Sequence, residues 1–193
     1  GILSTTNKMS KMRILKINFN VPGFAGDTPQ IFHIAKGLLE LGHTVDYVTT
    51  DADAFFYDKE KSEKYEEIRK KLLESTEKQI PIFGINVIPL HCTNEKLAYY
   101  CPHASSFAKS IIKNYDVVHI YNWYFHIAKV FSQIAHKYKI PFIFTANGSI
   151  QPQARALKKN SKKIFDVLYT NKMIKQASIL HSVGDLETEL YLK

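Results

Sequence analysis

Cysteine is scarce in this 193-residue chain: Cys92 and Cys101, nine positions apart, are the only two. They form neither a disulfide framework nor a C-x-x-C site, and a reducing, cytoplasmic setting is the simplest reading. His91 and His103 flank them, but no ligand pair has zinc-ribbon spacing, so buried or idle thiols are expected and no metal. No stretch approaches the roughly 18 apolar residues that a membrane span requires. Residues 1–11 are polar apart from Ile2 and Leu3 and lack the apolar run of a signal peptide. They are expected to be a loose extension ahead of a domain that begins at Met12. G-x-S-x-G, a Walker loop and H-E-x-x-H are missing, as is any aromatic RNA-recognition motif, so nucleic acid is not an expected partner. There is no internal repeat and no low-complexity linker.

What remains is enough for one packed domain. Hydrophobic residues make up 45% and charged residues 23%, the balance of an ordinary globular protein. Short apolar runs alternate with helical patterns. Residues 13–19 read as a strand, and 20–27 as a loop with Pro22, Gly23 and Gly26. A helix then starts with Thr28 as cap and Pro29 in its first turn, where the missing N–H costs nothing. Ile31, Ile34, Ala35, Leu38 and Leu39 give it one apolar face, and Gly42 ends it. Further strands are expected at 44–50, 85–90, 116–120, 141–145 and 178–183. Helices are expected at 58–78, heavily charged and solvated; at 95–114, broken near Pro102; from a cap at Asn122 to about Tyr138; at 152–176; and from Asp185 onward. Apolar strands separated by helices imply a parallel sheet covered on both faces, so the expected fold class is a Rossmann-like, doubly wound α/β sandwich of six strands.

In such sheets ligands bind beyond the carboxyl ends of the strands, where strand order reverses. The loop at 20–27, the residues His119 to Trp123 and the segment Ala146-Asn147-Gly148-Ser149 are therefore expected on one rim. Gly23 and Gly26 permit close backbone approach, and the following helix start offers N–H groups to an anion. A plain strand-to-helix turn is the competing reading. The dinucleotide fingerprint is not met, because Ala25 stands where its second glycine belongs, and Asp51 is then expected to be a loop residue. His119 reads either as a satisfied core histidine or as a ligand contact. Tyr121, Trp123 and Tyr124 read either as core or as a platform for a sugar.

Residues 151–176 hold seven lysines or arginines and one aspartate, most of a net charge of +8. Arg155, Lys158, Lys159, Lys162 and Lys163 share an arc opposite Leu157, Ile164 and Leu168 at about 100° per residue. A solvated helix face and a patch for anionic lipid or phosphate are both open readings.

Val21-Pro22-Gly23-Phe24-Ala25-Gly26-Asp27, followed by a helix ending Leu41-Gly42-His43-Thr44-Val45, resembles the opening of the group 4 retaining glycosyltransferases. Asp116-Val117-Val118-His119 resembles that family's next signature. The stretch from Ile140-Pro141 to Thr145, then Gly148 and Lys162-Lys163, is similar to a third, and Ala177 to Ser182 with Glu187 to the close of its N-terminal domain. The resemblance covers residues 12–193 in order. It implies a GT-B enzyme built from two Rossmann-like domains. This chain would be the N-terminal, acceptor-side domain, and the C-terminal domain that binds the nucleotide-diphosphate sugar would be its missing partner. Transfer would retain anomeric configuration, need no cofactor or metal, and not proceed on this chain alone. The acceptor would be a saccharide or a lipid-linked molecule, met in the cytoplasm or at the inner face of the membrane.

On this reading Gly23, Gly26 and Asp27 form the cleft loop, His119, Asn122 and Trp123 the fourth-strand rim, and Asn147, Gly148 and Ser149 the rest of the acceptor pocket. The basic helix would hold an anionic or membrane-bound acceptor. Two residues depart from the family pattern. Asp27 replaces the second of a glycine pair, and its carboxylate repels phosphate. Asn147 stands where many members carry histidine, and an amide is no acid or base at neutral pH, so the catalytic residues stay unknown. A non-catalytic Rossmann-like binding module is the alternative, and a nicotinamide-dependent oxidoreductase ranks third.

Overall fold

Backbone pairing places the first strand at the centre of the sheet. A computed structural model describes residues 10–21, 28–55, 58–147 and 166–192. In these, β1 (Arg13–Ile17) lies between β2 (Thr44–Thr50) and β5 (Val117–Tyr121), both parallel to it. Outward from β2 come β4 (Ile85–Leu90) and β3 (Ile80–Ile82). Outward from β5 come β6 (Phe142–Thr145) and β7 (Ile179–His181). The order β3-β4-β2-β1-β5-β6-β7 reverses at β1 and β5, so the switch point falls where the pattern of alternating elements put it. The fold is Rossmann-like α/β, as expected.

One strand more than the expected six is present. β3 pairs antiparallel with β4 through a tight turn in which Phe83 and Gly84 both have positive φ, 49° and 81°. That geometry matches the right-handed twist of a hairpin. Pro81 has no N–H to give a ladder, which suits a sheet edge and hides the strand from a pattern search.

Side-chain alternation separates two cores. Leu15, Ile17, Val48, Ile88, Val118, Ile120, Phe142 and Phe144 point to one face. There they meet α3 (Ala104–Ile111) and α4 (His126–Lys137) through Ala104, Ala108, Ile127, Phe131 and Ala135. Ile14, Val45, Tyr47, Ile85 and Val87 point to the other face, under α1 (Thr28–Glu40) and α2 (Lys59–Glu74). Burying each large apolar side chain contributes about 1.5–3 kcal/mol. α2 puts only Tyr65 and Leu72 fully inside, and its ion pairs are exposed, so packing rather than charge holds it.

Two helices end alike with different residues. At α1, His43 N–H donates to Leu38 O (3.0 Å) and Gly42 N–H to Leu39 O (2.9 Å), with Gly42 at φ 86°. At α4, Ile140 N–H donates to Ala135 O (2.9 Å) and Lys139 N–H to His136 O (3.1 Å), with Lys139 at φ 57°. Both are Schellman closures, but a lysine in the left-handed region carries strain that glycine avoids.

The expectation of a helix across 95–114 needs correction. Residues 95–103 are turns, with Asn94 bridged antiparallel to Tyr100, and regular helix starts only at Ala104. Pro102 cannot supply a backbone donor, and Ala98 and Tyr99 are both left-handed (φ 52° and 55°), which no helix accommodates. The chain closes with α5 (Asn171–Gln176), preceded by a π-helical turn at Asp166–Thr170, then β7 and α6 (Asp185–Tyr191).

Candidate functional site

The carboxyl ends of β1, β5 and β6 are tied together by asparagines. Asn18, just past β1, accepts at Oδ1 from Asn122 Nδ2 (3.2 Å), just past β5. Its own Nδ2 donates to Asn20 Oδ1 (3.0 Å). Asn122 N–H donates to Thr145 O (3.0 Å) at the end of β6. Three loops therefore leave the sheet from adjoining points. Asn122 and Asn147 turn the chain with φ of 58° and 48°, a conformation asparagine tolerates better than most residues. The expected helix cap at Asn122 needs correction. Its side chain is committed to Asn18, and α4 begins four residues later behind Phe125, which makes no side-chain cap. Asn20 Nδ2 is buried without a hydrogen-bond partner among the described residues.

A polar stripe crosses the sheet below this rim, on the α1/α2 face. Strand register sets Lys16 beside His119, and Tyr121 beside Thr145. Lys16 Nζ donates to Tyr121 Oη (2.6 Å), and Tyr121 O–H to His119 Nδ1 (2.9 Å). His119 Nε2 lies 2.8 Å from Thr145 Oγ1, which lies 3.0 Å from His181 Nδ1. One donor order is consistent with every contact: Lys16 to Tyr121 to His119, and His119 through Nε2–H to Thr145, to His181. That order requires neutral His119. Burial above all, then the Lys16 ammonium and His181, push its pKa well below the usual histidine range. Burial likewise lowers the Lys16 pKa to about 7. Both ring nitrogens of His119 are thus occupied, which favours the satisfied-core reading over direct ligand contact. The stripe reaches the surface at His181, which is exposed.

Trp123 requires a further correction. Its ring is 2% exposed and stacks on Phe144 (5.2 Å, 13°), so neither face is open to a sugar. The residue after Asn122 points back toward the α3/α4 core, where an indole buries more area than any rim position offers. The aromatic group at the rim is a different one. Phe19 stacks on Phe125 (3.9 Å, 14°), and Tyr99 leans on both at 4.9 and 5.3 Å. All three rings are half-buried. Asp51, at the end of β2, ties that strand to the segment after β4. Its Oδ1 accepts from Cys92 N–H (2.7 Å), and Oδ2 lies 2.8 Å from His91 Nδ1. Among the described residues no three histidine, cysteine or acidic side chains are grouped to hold a metal ion, and no helix is long and apolar enough to cross a membrane.

Gly23, Gly26, Asp27, Gly148, Ser149, Arg155, Lys158, Lys159, Lys162 and Lys163 lie outside the described residues. Of the other candidates, His119, Asn122 and Asn147 sit at or beneath the β5 and β6 ends. Lys16, Thr145, His181, Phe19, Tyr99 and Phe125 escaped sequence reasoning. Lys16 did carry a signal, a charge set among the apolar residues Ile14, Leu15 and Ile17 of β1.

The family model described as Glycosyltransferase Family 4 matches residues 28–185, more than half of the chain. No curated protein matches its sequence significantly. Among solved structures, a Listeria monocytogenes protein assigned as a UDP-N-acetylglucosamine 2-epimerase superposes with a TM-score of 0.56 at 16% identity, over 95% of this chain and 42% of that one. A glycosyltransferase from Rickettsia africae ESF-5 gives 0.46 at 18% identity, over 95% and 39%. The chain spans less than half the length of either.

Proposed function

The chain belongs to glycosyltransferase family 4, with the fold of an N-terminal GT-B domain, and from that premise we propose that it is the acceptor-binding half of a retaining transferase. The whole enzyme would move a sugar from a nucleotide-diphosphate sugar to a saccharide or lipid-linked acceptor, in the cytoplasm or at the inner membrane face. A C-terminal domain would hold the donor, and this half alone would not turn over. One observation carries the reading: the family match, over residues 28–185, takes in Asn122 and Thr145, which meet at the strand ends beside Asn18. Amides and aromatic rings dominate the described part of that rim. Asn18, Asn20 and Asn122 are buried and tied to one another, so they shape the rim, while half-buried Asn147 and the rings of Phe19, Tyr99 and Phe125 offer an amide and apolar area, a combination suited to an uncharged polyol. The same occupied ring nitrogens that tie His119 into the sheet favour the rival reading, a binding module without catalysis.

Titration of the 15N-labelled chain distinguishes these. Oligosaccharides are expected to shift the amide signals of Asn18, Asn122 and Asn147, and nucleotide-diphosphate sugars to leave them in place. Tight binding of a nicotinamide dinucleotide, or of a nucleotide sugar without any saccharide response, would refute the acceptor assignment. With a donor domain joined, the anomeric configuration of the first product, read by proton NMR, decides retention. No transfer to any saccharide or lipid-linked acceptor would leave the binding module standing.

A further inference from the structure

The segment between β4 and α3 brings the only two cysteines together. Both are buried in the α3/α4 core, where each thiol perturbs the ionisation of the other, and the Cys101 thiol donates to Tyr99 O (3.5 Å). Each is held from the backbone. Cys92 N–H is fixed by Asp51 at the end of β2, and Cys101 N–H donates to His126 Nδ1 (3.3 Å) at the start of α4. Between them, Thr93 N–H donates to Tyr100 O (2.9 Å) and Tyr100 N–H to Asn94 O (3.0 Å), closing the segment into a narrow loop. A disulfide needs its two Cβ atoms close and its backbone undisturbed. Here both backbone anchors and the cross-loop pairs are in place before any bond forms.

We propose that Cys92 and Cys101 form a reversible disulfide site that reacts with low-molecular-weight disulfides. The two thiols are not equivalent. Cys92 is 8% exposed and Cys101 is fully enclosed. The neighbouring Cys101 thiol lowers the Cys92 pKa, whereas that same neighbour and burial push Cys101 up. Cys92 is therefore the attacking sulfur. Its thiolate displaces one thiolate from a small disulfide R–S–S–R and leaves a mixed disulfide at Cys92. The negative charge beside Cys101 is then gone. Cys101 gives up its proton, attacks the Cys92 sulfur and expels the second R–S⁻. Two protein thiols lose two electrons and two protons, and the reagent gains both as two R–SH.

The bond would act on the rim. The loop it closes carries Tyr99, which packs on Phe19 and Phe125, and Ala98 O, which accepts from His126 N–H (2.8 Å) at the start of α4. Oxidation would thus restrain the aromatic group beside the β1 and β5 ends.

Incubation of the folded chain in glutathione buffers of graded potential, followed by acid quenching and peptide mapping, tests this. The expected product is a single intramolecular link between the Cys92 and Cys101 peptides, with the mass of two hydrogens lost. Cys101→Ser should instead accumulate glutathione on Cys92. In the reduced native protein Cys92 should alkylate about tenfold faster than Cys101. The mapping uses the unaltered chain, so it does not depend on either variant folding. Thiols that stay reduced until the chain unfolds, a glutathione adduct that persists on Cys92 in the unaltered chain, or links only between chains would each overturn the proposal.

Discussion

Replacing Lys16 with methionine should stabilise the protein most below neutral pH and hardly at all in strong alkali. Lys16 is fully enclosed, and its ammonium meets one hydroxyl, Tyr121 Oη at 2.6 Å, where three donors need partners. Burial lowers its pKa from 10.5 to about 7. Between those values the unfolded chain binds a proton that the folded chain does not, so folding stability rises with pH across that window and is flat below it. At about 1.4 kcal/mol per pKa unit, the full penalty is about 5 kcal/mol at acid pH. From about pH 6 to about pH 9.5, the linkage relation gives the unaltered protein about 3 kcal/mol more gain than the variant. Methionine nearly fills the same volume, and Tyr121 keeps its acceptor, His119 Nδ1. Urea unfolding of both proteins at several pH values, compared as a difference, cancels the groups they share. Parallel stability curves would refute the reasoning, and so would a variant less stable at pH 6.

The two Schellman closures make a matched pair. Lys139→Gly relieves a left-handed lysine and should raise stability by up to about 1 kcal/mol, while Gly42→Ala should lower it by about 1 kcal/mol, both read by thermal unfolding. Space does not decide the second case, since a Cβ at Gly42 meets only Lys11 Cε at 3.6 Å. Tyr115→Phe removes the 2.7 Å hydrogen bond to Asp46, a carboxylate only 4% exposed whose other bond, from Asn86, is longer at 3.2 Å. The expected loss is about 1.5–3 kcal/mol by denaturant titration. Changing Lys158, Lys159, Lys162 and Lys163 to alanine should weaken partition onto anionic vesicles by about 1 kcal/mol per charge. Unchanged partition would remove the membrane-bound acceptor from the proposal.

The sheet was legible because its strands are uniformly apolar and its helices amphipathic, two periods that do not imitate each other. Strand order followed from the preference of parallel units for one handedness and a single reversal. The misreadings have local causes. Ile80-Pro81-Ile82 is too short to show alternation, and its proline argues against a strand unless the edge is known. Residues 95–101 carry helix-compatible side chains, and the left-handed backbone at Ala98 and Tyr99 rules a helix out there. Asn122 has the chemistry of a cap, and a partner 104 positions away in sequence claims it. Trp123 shows the same limit, for no local signal says which way a residue faces after a left-handed turn.

The polar stripe is where local and global preferences part company. An all-apolar β1 would pack against α1 at lower cost than one carrying Lys16, and β5 and β6 would lose nothing in strand propensity if His119 and Thr145 were valine. On the opposite face the same strands place Leu15, Ile17, Ile120 and Phe144, so nothing about the strands themselves demands polarity. Sequences keep such conflicts chiefly at functional or strained sites. The stripe lies directly under the Asn18–Asn122–Thr145 junction, and Thr145 belongs to both, through its carbonyl above and its hydroxyl below. A continuous hydrogen-bonded path thus joins His181 at the surface to the rim through Thr145. Valine at position 145 cuts that path at its one shared residue while preserving shape. It should alter the saccharide response proposed for the rim more than His181→Phe does, since phenylalanine only truncates the stripe at its far end.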